Sequence, residues 1–152
     1  MFTNKKGQAS IEIIIIIVFL ILFLYVFNNM ADSNAKTLEV NKIKEQEQEI
    51  ALALNNFLKL QESILGDAAE KYNIVDYNST FRIPSIQVPS QKLSCEITVS
   101  DTSIGITADY KGESIDYSYA TSLSTNKYNL PITINCNQIL TCLDNSYKLE
   151  CS

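Results

Sequence analysis

The sequence predicts an α+β protein: a long N-terminal helix, hydrophobic then amphipathic, packed against a C-terminal antiparallel β-sheet head. Three observations carry this. Residues 13–27, IIIIIVFLILFLYVF, are an unbroken apolar run. Residues 28–72 contain no proline, have glycine only at Gly66, and repeat apolar residues at helical spacing. Beyond residue 73 the apolar period switches to two.

The first element is residues 8–27. Ala9–Glu12 extend the run of fifteen to nineteen residues with one charge, Glu12. About 20 such residues cross a bilayer as a helix. A run of isoleucines suits a strand in water, but a lone strand in lipid leaves its backbone groups unpaired, so a helix is expected. Lys5 and Lys6 precede the run and the acidic remainder follows it, which places the start in the cytoplasm and the rest outside. A secretory signal peptide shares the charged start and the apolar core. Its cleavage end is poor here, because a cut after Ala31 needs a small residue where Asn29 stands.

The second element, residues 28–72, extends the helix. Leu38, Ile43, Ile50, Leu54, Phe57, Leu58, Ile64, Leu65 and Ala68 recur along it, and from Ile43 onward they trace one face. Lys42 to Glu49 is mostly charged or amide, so that stretch is expected to be solvated or to face neighbours. Asn28–Asn34 holds poor helix formers and is the weakest point of the helix, the one that could allow a bend. A helix over residues 8–72 is about 97 Å long at ~1.5 Å per residue. A small domain has little use for such a length; a filament subunit does.

The third element is the head, residues 73–152. Apolar and polar residues alternate in Cys95–Val99, Ile104–Tyr110, Ile115–Tyr119 and Ile132–Cys136, which predicts half-buried strands of an antiparallel sheet. Lys111-Gly112 marks a hairpin turn between two of them. The apolar sheet face packs on the apolar face of Ile50–Ala68. All four cysteines, Cys95, Cys136, Cys142 and Cys151, lie in this part. An even count on the outer side reads as two disulfides with three possible pairings. Cys95 and Cys136 share the inward phase of their strands and are the first expected pair, leaving Cys142 with Cys151. Asn78-Ser79-Thr80 is an N-glycosylation sequon. Tyr110, Tyr117, Tyr119, Tyr128 and Tyr147 are expected in the core or at its rim rather than as an adhesive patch.

Composition narrows the function. The 152 residues carry a net charge of −5, which offers no basic field to nucleic acid. There is no histidine, so Ser-His-Asp triads and most zinc sites are excluded. Asp101, Asp109, Glu113 and Asp116 lack calcium-loop spacing. No nucleophile motif or phosphate loop appears, so neither an enzyme, a cofactor nor a metal is expected.

Gly7, Gln8, Ser10 and Glu12 stand in the pattern G-Q-x-S-x-E at the edge of the apolar helix. In this the chain resembles the type IV pilins, and in detail their archaeal branch, whose class III signal peptide has that pattern. The resemblance implies a cytoplasmic leader of residues 1–7, cut by a membrane prepilin peptidase between Gly7 and Gln8. The mature chain would start at Gln8 with a net charge of −7, since −5 minus the two leader lysines is −7. It implies assembly with copies of itself and related pilins into a surface filament for attachment. Glu12 would pair with the freed amine of Gln8 on a neighbour and set axial register, while Gln8 and Glu12, four residues apart on one helix, compete by pairing within a chain. Gln8 can also cyclise and lose that charge. The membrane holds the precursor before assembly. A non-polymerising, membrane-anchored binding protein is the competing expectation, and it leaves Gly7, Gln8 and Glu12 without a role.

Overall fold

A computed structural model describes residues 5–72, 78–89, 91–145 and 148–151, with side chains for 12–64, 78–89, 91–143 and 150–151. The chain is α+β: one long N-terminal helix, α1 (Lys5–Tyr72), followed by antiparallel β-sheets. It divides into two units, Met1–Glu39 and Val40–Ser152.

In the first unit, α1 is the only element among the described residues. The β-branched run Ile13–Val18 has no strand to pair with there, and a helix satisfies its own backbone groups. Asn28–Asn34, the weakest point of the helix by composition, is helical throughout. Just beyond it, the Thr37 hydroxyl donates to the Ser33 carbonyl at 2.9 Å, one turn back.

In the second unit, the rest of α1 buries Ile43, Ile50, Ala51, Leu54 and Leu58 in one core with the sheets. Steps of seven, four and four keep Ile43, Ile50, Leu54 and Leu58 on one face of the helix. Each large aliphatic side chain buried there contributes roughly 1.5–3 kcal/mol. Leu38, counted in the apolar series from sequence, is exposed. The stretch Lys42 to Glu49 also departs from expectation. Ile43 and Glu47 are both buried in the core, and Gln46 is half-buried.

The strands follow in order: β1 (Asn78–Arg82), β2 (Gln87–Val88), β3 (Gln91–Lys92), β4 (Cys95–Val99), β5 (Ser103–Tyr110), β6 (Glu113–Ala120), β7 (Ile132–Asn135), β8 (Ile139–Asn145) and β9 (Lys148–Cys151). The four alternating segments form one antiparallel sheet in the order β6-β5-β4-β7. Its register stacks Tyr117, Ile106, Ile97 and Ile134 in one row, and Tyr119, Ile104, Val99 and Ile132 in the next. Cross-strand rows of this kind put all the apolar side chains on the core face. The β5–β6 turn has Lys111 at φ 54° and Gly112 at φ 77°, the double left-handed conformation that a two-residue hairpin needs.

A second sheet, β1-β8-β9, and the small β2-β3 hairpin complete the head. The sequence reading had no strands for either. Cys95 pairs with Cys136 and Cys142 with Cys151. The first bond ties β4 to the residue after β7, where the Cys136 N–H also donates to the Cys95 carbonyl. The second joins directly opposite residues of β8 and β9.

Candidate functional site

The fifteen residues Ile13 to Phe27 are each 49–69 % exposed. The apolar surface runs around the whole helix, since every position is apolar and the stretch covers about four turns at ~3.6 residues each. Within it the Phe23 and Phe27 rings stack one turn apart, with centroids 6.3 Å from each other. By length and composition this is a helix able to cross a membrane. Glu12 is exposed and stands at its leading edge. Lys5, Lys6, Gly7, Gln8 and Ser10 fall on α1 by their backbone, but their side chains lie outside the described residues, as does the leader's start, 1–4.

In the head, Asn78 is exposed at the first position of β1. Tyr110 and Tyr128 are core residues, and Tyr117 and Tyr119 are half-buried at its rim, as expected for in-phase tyrosines. Tyr147 lies outside the described residues. Glu96, Thr107, Asp109 and Asn135 surround an open depression of ≈ 260 Å³ against the solvent face of the larger sheet, together with Ser94 and Cys95. Among the described residues no three His, Cys, Asp or Glu side chains gather so as to hold a metal ion.

Three polar arrangements were missed from sequence. The first is Glu47, which is fully buried on the core face of α1. Neither carboxylate oxygen has a hydrogen-bond partner among the described residues. Burial pushes its carboxyl up to about 7 from 4.5, the Asp116 carboxylate on β6 pushes the same way, and Lys44 opposes them. A helical-wheel signal existed. Glu47 is four residues after Ile43 and three before Ile50, so it shares their face.

The second is a latch between α1 and the segment after β6. Thr121 Oγ1 donates to Asn55 Oδ1 at 2.6 Å, and the Tyr128 hydroxyl donates to the Leu58 carbonyl. Lys59 Nζ donates to the Ser122 carbonyl and lies 3.2 Å from Glu62 Oε2. Glu62 Oε1 accepts from the Ser124 N–H at 3.1 Å, while Lys127 Nζ donates to the Glu62 carbonyl at 2.9 Å. The Thr121 and Leu123 N–H groups of this segment donate to the Thr102 and Asp101 carbonyls, and the helix side chains supply further partners to its carbonyls, side chains and the Ser124 N–H.

The third is Gln46. Its amide accepts from the Gln87 N–H and donates to the Gln87 carbonyl, both at 2.9 Å. The side chain thus takes the place of a neighbouring strand for β2.

The described residues present an exposed apolar helix surface and a head closed by two disulfides. No family model, curated protein or solved structure matches the chain.

Proposed function

We propose that this chain is the precursor of a structural subunit of an archaeal type IV pilus-like filament that serves surface attachment, and not an enzyme. The observation that supports this reading most is the exposed apolar helix, Ile13 to Phe27, set directly behind the G-Q-x-S-x-E pattern of Gly7, Gln8, Ser10 and Glu12. An apolar surface this continuous is unstable in water, and either lipid or the apolar helices of other subunits satisfies it. The two environments belong to two stages. As a precursor the chain sits in the cell membrane with its start in the cytoplasm and its head outside. A prepilin peptidase cuts between Gly7 and Gln8 and removes Lys5 and Lys6. That takes away part of the positive anchor on the cytoplasmic side. The helix then leaves lipid and exchanges lipid contacts for contacts with other copies and related pilins.

Two disulfides fit a head that works in an oxidising exterior. The test is the N-terminal peptide of the mature protein, read by mass spectrometry from native cells, together with electron microscopy of the cell surface. A start at Gln8 and filaments that contain the chain are expected. A start at Met1 without filaments assigns the chain to the anchored, non-polymerising binding proteins, and a start after Ala31 makes it an ordinary secreted protein.

A further inference from the structure

We infer that Asn78 is the attachment site of an N-linked glycan, and that the glycan covers an exposed apolar strip on the second sheet. The inference rests on the proposed placement of the head outside the cell. Asn78 and Thr80 occupy alternate positions of β1, so their side chains share a face. Both are exposed, while Ser79 between them is half-buried. Among the described residues neither the Asn78 carboxamide nor the Thr80 hydroxyl has a hydrogen-bond partner in the folded chain. A transferase that reads the hydroxyl two residues beyond the asparagine therefore finds both groups free and on one side.

The surroundings supply the second argument. Among the described residues β1 is an edge strand, hydrogen-bonded to β8 alone. Asn78 stands opposite Leu143, Thr80 opposite Thr141 and Arg82 opposite Ile139. Directly opposite residues of an antiparallel pair project on the same side. Leu143 and Ile139 are 49 % and 57 % exposed, the two large apolar side chains that the described strands leave in solvent. Both therefore lie on the face that carries the sequon. A sugar on Asn78 projects over Leu143, adds bulk beside the open β1 edge and blocks strand addition there.

The modification is a group transfer. The Asn78 amide nitrogen bonds to the anomeric carbon of a lipid-phosphate-linked oligosaccharide. The bond from that carbon to the phosphate oxygen breaks, the lipid phosphate leaves with the electron pair, and the amide nitrogen gives up one proton. The donor and its membrane transferase are external to this chain.

The experiment is glycopeptide mass spectrometry on the full chain from its native cells. Trypsin releases residues 72–82 as one peptide. Added sugar mass localised to Asn78 is expected, with loss of that mass in Asn78→Gln and in Thr80→Ala and its retention in Thr80→Ser. The N-terminal peptide is read from the same digest. Unmodified Asn78 in a chain that starts at Gln8 overturns the glycan and leaves the filament reading intact. Unmodified Asn78 in a chain that starts at Met1, with a head protected from protease added to whole cells, overturns both. Enzymatic removal of the glycan is expected to increase binding of an apolar dye, and the increase disappears when Leu143→Ser and Ile139→Ser are combined. An unchanged dye signal on removal overturns the covering role.

Discussion

Glu47→Gln is expected to stabilise the folded head at neutral pH and to change nothing in acid. The wild-type carboxyl is fully buried with both oxygens unpartnered, and its pKa is raised from 4.5 to about 7. A raised carboxyl pKa means that the folded state binds more protons than the unfolded state between those values. Stability therefore falls as pH rises from about 4.5 to about 7, and the loss is complete above 7. At ~1.36 kcal/mol per pH unit the interval corresponds to on the order of 3 kcal/mol. Glutamine has nearly the same shape and no charge, so it removes that loss. It still buries an amide without a partner, a residual cost of about 1–3 kcal/mol that wild type also bears as a neutral acid.

The assay is urea unfolding of the full chain in detergent micelles, with disulfides intact and tyrosine emission as the probe, at steps from pH 4 to pH 8. The expected result is coincident midpoints near pH 4 and a growing gap in favour of the variant toward pH 8. Asp116→Asn removes the carboxylate that pushes Glu47 further up, so it should narrow the wild-type pH slope without abolishing it. Parallel pH profiles for wild type and Glu47→Gln would refute the reasoning, because they would mean that Glu47 carries its charge equally well in both states.

Replacing Cys95 and Cys136 together by serine should cost about 4 kcal/mol, and replacing Cys142 and Cys151 about 3, from the chain entropy of loops with separations of 41 and 9 residues. Non-reducing urea melts measure both, and a larger loss at the shorter loop would contradict the entropic account. Gly112→Ala should cost about 1–2 kcal/mol, since φ is 77° and an added Cβ meets nothing within 4 Å, which leaves backbone strain as the only term. Gly112→Asn should recover most of that loss, and equal melts for the alanine and asparagine variants would count against it. Glu12→Gln is expected to permit cleavage after Gly7 but to lower filament yield; normal filaments from that variant would remove the register role.

The parts of the fold legible in the sequence are those where apolar pattern and burial coincide. Ile97, Ile106 and Ile134 alternate with polar residues and point inward, so β4 to β7 were readable, and Lys111-Gly112 located the hairpin. The face of α1 from Ile43 to Leu58 was readable for the same reason. The second sheet hid because its pattern is inverted in places. Ser79 and Cys142 face inward there while Ile139 and Leu143 face solvent, so counting apolar residues gives no clean period. The β2-β3 hairpin is two residues per strand and takes its partner from the Gln46 side chain, a long-range contact that no local pattern contains. Glu47 was hard to read because the charged and amide composition of Lys42–Glu49 points to solvent or to neighbours, whereas its position on the helix points inward. The wheel put it on the core face, and position was the better guide.

Of the acids on α1, Glu47 and Glu12 have surroundings that differ in kind, and the difference bears on what Glu12 does. Glu47 is enclosed by its own unit, beside a second acid on β6, and among the described residues neither of its oxygens has a hydrogen-bond partner, so Lys44 offsets only part of the cost of its charge. Its neutral form is the one the fold favours, so an uncharged amide serves at least as well. Glu12 is exposed within its unit, at the edge of an apolar surface that is itself exposed. Among the residues whose side chains are described, none lies against it. Its cost and its use both arise when the apolar helix is buried, in lipid or among other subunits, and there a partner outside the chain decides the outcome. The freed amine of Gln8 is that partner in the filament reading. If Gln8 cyclises, the charge is lost and only a hydrogen bond is left, and the two acids become alike in needing no cation. The same substitution, glutamate to glutamine, then separates the two cases. It should improve the head at position 47, and at position 12 it should impair assembly only as long as Gln8 keeps its amine.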